Sequence, residues 1–161
     1  MKLSVIITTY NSEEWLSKVL EGYCQQTEND FEVVVADDGS TGKTKEVIES
    51  FKSKFKYTIL HVWQEDNGFQ KCKILNKAIL KTNSDYLLFT DGDCIPRKDF
   101  VQQHLKFQEK GYFLSGGYFK LPMETSKAIS FEDIKSQNCF STSWLIKNGV
   151  KSSFKLTKLT H

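Results

Sequence analysis

Short apolar runs alternate with helix-like stripes of apolar residues along most of the chain. Residues 3–7 (LSVII) are apolar and rich in β-branched side chains without strict alternation, as in a strand covered on both faces. Apolar residues then recur at helical spacing from Trp15 to Tyr23. The same unit repeats, with strands expected at 31–36, 57–62, 85–90 and 111–121 and helices at 44–55, 71–80 and 100–105. This alternation predicts an α/β protein with a doubly wound, mostly parallel central sheet.

The pattern weakens from residue 122 onward. The segment 122–161 is rich in serine and has more lysines than acidic residues. No run in it is typical of a strand, and Ile129, Ile134 and Phe140 indicate a helix at most. We therefore expect a core of residues 1–121, followed by a polar, basic C-terminal segment of residues 122–161.

Composition and charge exclude several classes of protein. The chain has 22 lysine and arginine residues and 20 acidic residues, so it has no strong positive electrostatic field that would favour nucleic acid as a partner. The four cysteines are far apart and have neither C-x-x-C nor zinc-ligand spacing, which predicts reduced thiols. The apolar run at the amino terminus is too short for a signal peptide or a membrane span. These features predict a cytoplasmic protein.

Clusters of polar residues follow the first four predicted strands. They are Thr8–Asn11, Asp37–Ser40, Gln64–Lys73 and Asp91–Asp93. In a parallel α/β sheet the carboxyl ends of the strands meet at one edge, where ligands bind. The sequence therefore predicts one binding site built from these four clusters.

Asp91-Gly92-Asp93 directly follows the apolar run LLFT. Two carboxylates one residue apart can hold a divalent cation that bridges two phosphates, and Mg²⁺ or Mn²⁺ prefers such oxygen ligands. An ordinary strand-to-loop turn would also use Asp and Gly. The neighbouring polar clusters favour the metal site.

The stretch Ala36–Thr44 (ADDGSTGKT) is similar to a phosphate-binding P-loop, with Lys43 and Thr44 at its end. The first glycine of that motif would stand at position 37, which is Asp37. Carboxylates repel phosphate but suit the N–H edge of a nucleobase or ribose hydroxyls. A base-binding role for Asp37 and Asp38 is therefore favoured, with a P-loop phosphotransferase and simple helix capping as alternatives.

Single motifs also allow two further interpretations. An aspartate phosphatase would use Asp91 as nucleophile and Asp93 as acid, but its motif requires Thr or Val where Ile95 stands. Lys71 and Lys73 lie near the start of a predicted helix and could meet a phosphate or a base carbonyl, although Lys71 is expected to be a solvated lysine. The histidines show no pairing in the sequence.

The start of the first helix also carries a local pattern. Asn11 and Glu14 have the spacing of a capping box, in which each side chain binds the backbone N–H of the other residue. This predicts that the Asn11 side chain caps the first helix.

In order along the chain, SVIITTYN, VVVADDGS, NGFQKCKILNKAI and LLFTDGDCIPRKDFV resemble the inverting glycosyltransferases of family 2. The resemblance covers Lys2 to about Leu121. It implies the GT-A fold, a Rossmann-like α/β/α sandwich, and the N-terminal, donor-binding portion of such an enzyme. It also implies transfer of a hexose from a UDP-sugar to a hydroxyl of a glycan or lipid-linked acceptor, with inversion, and a divalent metal, Mn²⁺ or Mg²⁺.

The resemblance also implies roles for individual residues. Thr9 and Tyr10 would contact the uridine, and Asp38, with Asp37, would contact the uracil ring. Lys73 would contact the nucleotide near the base, Asp91 would face the ribose or sugar, and Asp93 would bind the metal directly. The residues implied for substrate binding are Thr9, Tyr10, Asn11, Asp37, Asp38, Lys73 and Asp91, and those implied for metal binding and catalysis are Asp91 and Asp93.

The chain departs from the family pattern beyond residue 121. Such enzymes place their catalytic base in a C-terminal half that this sequence largely lacks, and only Phe131-Glu132-Asp133 offers a Glu-Asp pair there. The acceptor region is therefore expected to be truncated or reduced, and a nucleotide-sugar-binding fragment without turnover is the alternative. The basic segment 122–161 could contact the inner face of a membrane peripherally.

Overall fold

The structure, a computed structural model, describes residues 2–151, which form two units that divide between Lys106 and Phe107. Four strands and four helices alternate in the first unit and into the start of the second. The strands are β1 (Leu3–Thr9), β2 (Phe31–Asp37), β3 (Ile59–Trp63) and β4 (Leu87–Asp91), and the helices are α1 (Glu13–Cys24), α2 (Gly42–Lys52), α3 (Lys71–Ile79) and α4 (Phe100–Phe107).

The four strands form one parallel sheet in the order β3-β2-β1-β4. The strand order reverses direction at β1, which pairs with β2 on one side and with β4 on the other. A ligand crevice is expected at such a reversal. The predicted doubly wound parallel sheet is thus confirmed.

Apolar residues cover both faces of the sheet, as the uninterrupted apolar runs predicted. On one face, alternate residues of β1 and β2 pack against α1, α2 and α4, with Tyr23 and Phe31 among the largest buried side chains. On the other face, Ile6 and Val34 pack against Ile74 and Ala78 of α3. The result is the predicted α/β/α sandwich.

Strand register brings the polar clusters to one edge. Thr8 in β1 lies opposite Asp91 in β4, and Thr9 lies opposite Asp37 in β2. Asp37 in turn lies opposite Trp63 at the end of β3. The carboxyl ends of all four strands are therefore level, and the loops that follow them can share a ligand.

The fifth strand that the sequence predicts at Gly111–Leu121 does not form. Residues 113–122 have no regular secondary structure, and Gly111 has a positive φ of 88°. A strand needs a neighbour that accepts its backbone hydrogen bonds, and β-propensity depends strongly on such packing. Within residues 2–151 no strand pairs with this segment, so Tyr112, Phe113 and Tyr118 stay exposed.

The second unit contains only short helices. They are α5 (Met123–Ala128), α6 (Phe131–Lys135), a 3₁₀ helix (Asn138–Phe140) and α7 (Thr142–Lys147). Leu145 and Val150 form a small core with Phe119 and Leu121. The absence of strands predicted for 122–161 holds for residues 122–151, and the remainder of that prediction lies outside the described residues.

Two further findings concern the described chain as a whole. No helix within residues 2–151 combines the length and apolar character needed to cross a bilayer. All four cysteines carry free thiols.

Candidate functional site

A cleft of about 300 Å³ opens at the carboxyl edge of the sheet. Its walls come from the loop after β1, the loop after β2 and the segment that leads into α3. The lining residues are Thr8, Thr9, Tyr10, Asp38, Gly68, Phe69, Lys71 and Ile74. Three of the four predicted polar clusters therefore line one cleft, and the fourth joins it through Asp91, as described below.

The loop after β1 is fastened to the loop after β2 by Asn11. Its backbone N–H donates to Ser40 Oγ at 2.8 Å, and its side-chain Oδ1 accepts from the backbone N–H of Thr41 at 3.0 Å. Asn11 has a left-handed backbone with φ of 43°, a conformation that asparagine tolerates better than most residues. The predicted capping box is wrong, because Ser12 occupies the N-cap position of α1 and Asn11 instead joins two loops of the site.

Asp38 lines the cleft and organises the loop that follows β3. Its two carboxylate oxygens accept hydrogen bonds from Gln64 Nε2 and from the backbone N–H of Gln70, the latter at 2.8 Å. The backbone N–H of Asp38 itself donates to the carbonyl of Thr9 at 3.0 Å. Asp38 thus connects the three loops that form the cleft.

Asp37 lies beneath the cleft rather than in its lining. The residue is fully buried, and its carboxylate accepts from the backbone N–H of Ser40 at 2.8 Å. The other oxygen lies 2.8 Å from Nε2 of His61 in β3, a pair that the sequence did not reveal. Asp37 therefore shapes the loop that carries Asp38 and does not itself line the cleft, so its contact with a base stays a prediction.

The hydrogen bonds of Asp37 determine its titration. Burial raises the pKa of its carboxyl, but the hydrogen bonds from His61 and Ser40 lower it by more, so the pKa lies below its ordinary value of 3.8. A carboxyl whose pKa is depressed on folding contributes stability above its unfolded pKa. That contribution is lost as the pH falls through the lower, folded pKa.

Replacing Asp37 by asparagine should therefore destabilise the chain most at neutral pH. We expect a loss of about 1–3 kcal/mol in the free energy of unfolding at pH 7, because a buried, charge-assisted hydrogen-bond network is disrupted. The difference from the unsubstituted chain should narrow as the pH falls below the ordinary pKa of 3.8. Urea unfolding at several pH values measures it, and a difference that does not depend on pH would contradict this role.

Tyr10 projects from the loop after β1 with about half of its surface exposed. Its hydroxyl donates to Oδ2 of Asp66 at 2.9 Å, while Oδ1 of Asp66 accepts from the backbone N–H of Gly68 at 3.1 Å. The hydrogen bond to Asp66 raises the pKa of Tyr10 above its ordinary value of 10.0. Asp66 lies within the predicted Gln64–Lys73 cluster but was not singled out there, and its Asp-Asn-Gly sequence, which is typical of a turn, is the signal that could have indicated it.

Asp91 ends β4 and is joined to two neighbours through one oxygen. Oδ1 accepts from Thr8 Oγ1 at 2.9 Å and from Lys71 Nζ at 2.6 Å. The hydrogen bond from Lys71 lowers the pKa of Asp91 below its ordinary value of 3.8, so this carboxyl is charged at neutral pH. The expectation that Lys71 is merely a solvated lysine is wrong.

Gly92 fixes the turn between the two carboxylates. Its backbone N–H donates to the carbonyl of Thr8 at 2.8 Å, and a Cβ at this position would lie only 2.7 Å from the same oxygen. Only glycine allows this close approach. The turn sends Asp91 and Asp93 to the same edge of the sheet, where Asp93 is exposed.

These two carboxylates fit the requirements of Mg²⁺ or Mn²⁺. No group of three or more His, Cys, Asp or Glu side chains within the described part of the chain is placed to hold a metal. Mg²⁺, however, usually binds through one or two carboxylates and completes its shell with water and substrate phosphate oxygens. Asp93, together with the charged Asp91, would supply the carboxylates of this donor set.

The P-loop alternative fails on the geometry of Thr44. This residue is fully buried in α2, and its hydroxyl donates to Glu13 Oε1 at 3.0 Å. It is therefore not available to a metal or phosphate, while Lys43 is exposed. Thr41 occupies the N-cap position without a side-chain hydrogen bond, so capping does not explain Asp37 or Asp38 either.

The candidate base Asp133 has a structural role in the second unit. It forms a capping box with Ser130 at the start of α6, and its Oδ1 accepts from Trp144 Nε1 at 2.9 Å. Burial raises its pKa, but these hydrogen bonds lower it below the ordinary value of 3.8. A depressed pKa does not suit a general base.

Lys73 and Phe69 are the two remaining residues at which the predicted site and the observed cleft differ. Lys73 is exposed on α3 and does not contribute to the cleft lining, so its contact with the nucleotide stays a prediction. Phe69 lines the cleft with 89% of its surface exposed and was not predicted. An aromatic residue between a glycine and the start of a predicted helix, within the Gln64–Lys73 cluster, is the signal that could have indicated it.

The fold of this chain resembles those of solved glycosyltransferase structures. A crystal structure of residues 1–349 of Staphylococcus aureus TarS superposes with a TM-score of 0.59 at 31% identity, covering 66% of this chain and 32% of that one. The same TarS portion in complex with UDP-GlcNAc gives a TM-score of 0.57 at 31% identity, covering 66% and 31%. A mannosyltransferase, PcManGT from Pyrobaculum calidifontis in complex with GDP-Man and Mn²⁺, gives 0.56 at 25% identity, covering 66% and 32%.

Sequence comparison gives the same family. The chain is 37% identical over 110 residues to the uncharacterized glycosyltransferase YfnE of Bacillus subtilis (strain 168), which covers 68% of this chain and 27% of YfnE. It is 35% identical over 105 residues to the chondroitin synthase of Escherichia coli, covering 65% and 15%. It thus spans roughly a quarter or less of these curated relatives. Because the model of Glycosyl transferase family 2 matches residues 4–146, the chain belongs to that family.

Proposed function

We propose that the chain carries the donor-binding site of a glycosyltransferase that takes a hexose from a UDP-sugar. The observation that carries this proposal is the meeting of Asp38, Tyr10 and Asp91 around a single cleft at the carboxyl edge of the sheet. One end of the site offers a hydrogen-bond acceptor beside an aromatic ring. The other end offers two carboxylates suited to a metal that binds diphosphate.

The uracil is proposed to bind between Asp38 and Tyr10. A carboxylate accepts the N–H of a pyrimidine ring, and the half-exposed ring of Tyr10 offers a surface on which the base can stack. Thr9 supports this end, because its carbonyl holds the backbone N–H of Asp38. Asp37 and Asn11 position the loops, and Lys73 is retained as a contact near the base.

The diphosphate is proposed to bind beside Asp91 and Asp93. A bound Mn²⁺ or Mg²⁺ would neutralise the charge that develops on the leaving diphosphate. Asp93 would hold the metal directly, and Asp91 would face the ribose or sugar while its charged carboxylate also contributes to the metal site. The short turn at Gly92 keeps both carboxylates at the end of β4.

The acceptor side of the reaction is also part of the proposal. Transfer would be to a hydroxyl of a glycan or lipid-linked acceptor, with inversion, and a peripheral contact with the inner face of a membrane would bring the chain to such an acceptor. Residues 1–121 would form the donor-binding core, and 122–161 would begin the acceptor region. Asp133 is not proposed as the base.

Calorimetric titration with UDP tests the proposal. In the presence of Mn²⁺ we expect saturable binding of UDP that disappears when EDTA removes the metal, because the carboxylates and the diphosphate repel each other without a cation. GDP should bind at least about tenfold more weakly, since a larger base does not match the acceptor beside Tyr10. Equal binding with and without metal would contradict the proposed diphosphate site.

A further inference from the structure

Lys71 connects the two ends of the proposed donor site. It is the first residue of α3 and lines the cleft, and its Nζ lies 2.6 Å from Oδ1 of Asp91. The residue before it, Gln70, donates its backbone N–H to Asp38. A diphosphate bound beside Asp91 would therefore lie close to the ammonium group of Lys71.

The stability of the fold does not explain this placement of a lysine. Positive charge is unfavourable at a helix amino terminus, where the unpaired backbone N–H groups already carry partial positive charge, and the first turn of α3 contains no acidic residue. The Lys71 and Asp91 side chains are 38% and 58% exposed, and ion pairs at that exposure stabilise a fold little. Lys71 can therefore readily exchange Asp91 for another negatively charged partner.

The carboxylate of Asp91 can also accept a further partner through its second oxygen, Oδ2. Both described hydrogen bonds to its carboxylate, from Lys71 and from Thr8, end on Oδ1. No hydrogen bond to Oδ2 occurs among the side chains that the structure describes. A cation bound to this carboxylate would repel the ammonium of Lys71, and a diphosphate held beside Asp91 would offer it phosphate oxygens as new partners.

We infer that Lys71 is a donor-binding residue that exchanges partners, neutralising Asp91 in the donor-free chain and binding a phosphate oxygen of the nucleoside diphosphate in the loaded one. This inference rests on the proposed function, since it requires a nucleotide diphosphate in the cleft. It assigns the phosphate contact to Lys71, which lines the cleft, rather than to Lys73, which does not.

Replacing Lys71 by methionine tests this role, because methionine keeps much of the side-chain length without the charge. The matched control is Lys77→Met, on the same helix but exposed and away from the cleft lining. UDP and uridine are titrated separately into each chain in the presence of Mn²⁺. Thermal unfolding of both variants checks that α3 remains folded.

We expect the Lys71→Met chain to bind UDP about tenfold more weakly than the unsubstituted chain, with uridine binding unchanged, because only UDP carries the phosphate that pairs with Lys71. The Lys77→Met chain should match the unsubstituted chain for both ligands. In a titration with Mn²⁺ alone, Lys71→Met should bind the metal more tightly, since Asp91 loses the cation that competes for it.

Three results would overturn the inference. UDP affinity unchanged in Lys71→Met would mean that Lys71 does not contact phosphate. An equal loss for UDP and uridine would show that the substitution only disturbs the cleft. Mn²⁺ binding that is weaker or unchanged would rule out competition for Asp91. Failure of the unsubstituted chain to bind UDP at all would instead refute the proposed function on which the inference depends.

Discussion

Replacing Asp93 by alanine should abolish metal-dependent UDP binding. The proposed metal has only the carboxylates of the Asp91–Asp93 turn as protein ligands, because no larger cluster of metal-binding side chains occurs within residues 2–151. Removal of a residue that only supports a metal ligand typically weakens metal binding about 10–100-fold. Loss of a direct ligand should have a larger effect, so we expect the affinity for UDP in the presence of Mn²⁺ to fall on the order of 100-fold or more. Calorimetry with UDP and Mn²⁺ measures it.

Asp85 provides the matched control for this experiment. It is exposed and precedes β4, at the opposite end of the strand from Asp93. Asp85→Ala removes the same charge without touching the carboxyl edge of the sheet, so UDP affinity should be unchanged. If Asp93→Ala bound UDP and Mn²⁺ as tightly as Asp85→Ala, Asp93 would not be the metal ligand.

Replacing Gly39 by alanine should be strongly destabilising. Gly39 has φ of +100°, and a Cβ there would lie 2.6 Å from Asp66 Cα, which is a backbone atom that cannot turn aside. Strained backbone and a forced separation of two loops together should lower the free energy of unfolding by about 3 kcal/mol. Urea unfolding followed by circular dichroism measures the change.

Gly42 provides the comparison for Gly39. It is the first residue of α2, and a Cβ there would meet no atom within 4 Å. Gly42→Ala should leave stability unchanged or raise it by up to about 1 kcal/mol, since alanine favours helix over glycine. Equal effects of the two substitutions would contradict the close contact between the loop of Gly39 and the loop of Asp66.

The fold was predictable because its signals are local. The runs that became β1 and β2 are apolar without alternation, which already indicates burial on both faces, and helical stripes separate them. The fifth predicted strand failed for a reason that no local pattern shows. Residues 111–121 have strand-forming side chains, but a strand also requires a hydrogen-bonding neighbour, and none is described for this segment.

The site was predictable to the level of its loops but not of its contacts. The carboxyl ends of parallel strands had to meet, which placed Asp38 and Asp91 at one edge. The partners of these residues depend on tertiary packing, and a single sequence does not carry that information. Thus the burial of Asp37 against His61 and the ion pair of Lys71 with Asp91 emerged only from the structure.

A crystal structure of the chain with UDP and Mn²⁺ tests the central proposal most directly. The anomalous signal of manganese locates the metal independently of how the nucleotide is interpreted. We predict a manganese peak within coordinating distance of the Asp93 carboxylate, with the uracil between Asp38 and Tyr10 and the diphosphate joining the two ends. A manganese peak away from the Asp91–Asp93 turn, or UDP bound outside the cleft, would contradict the account.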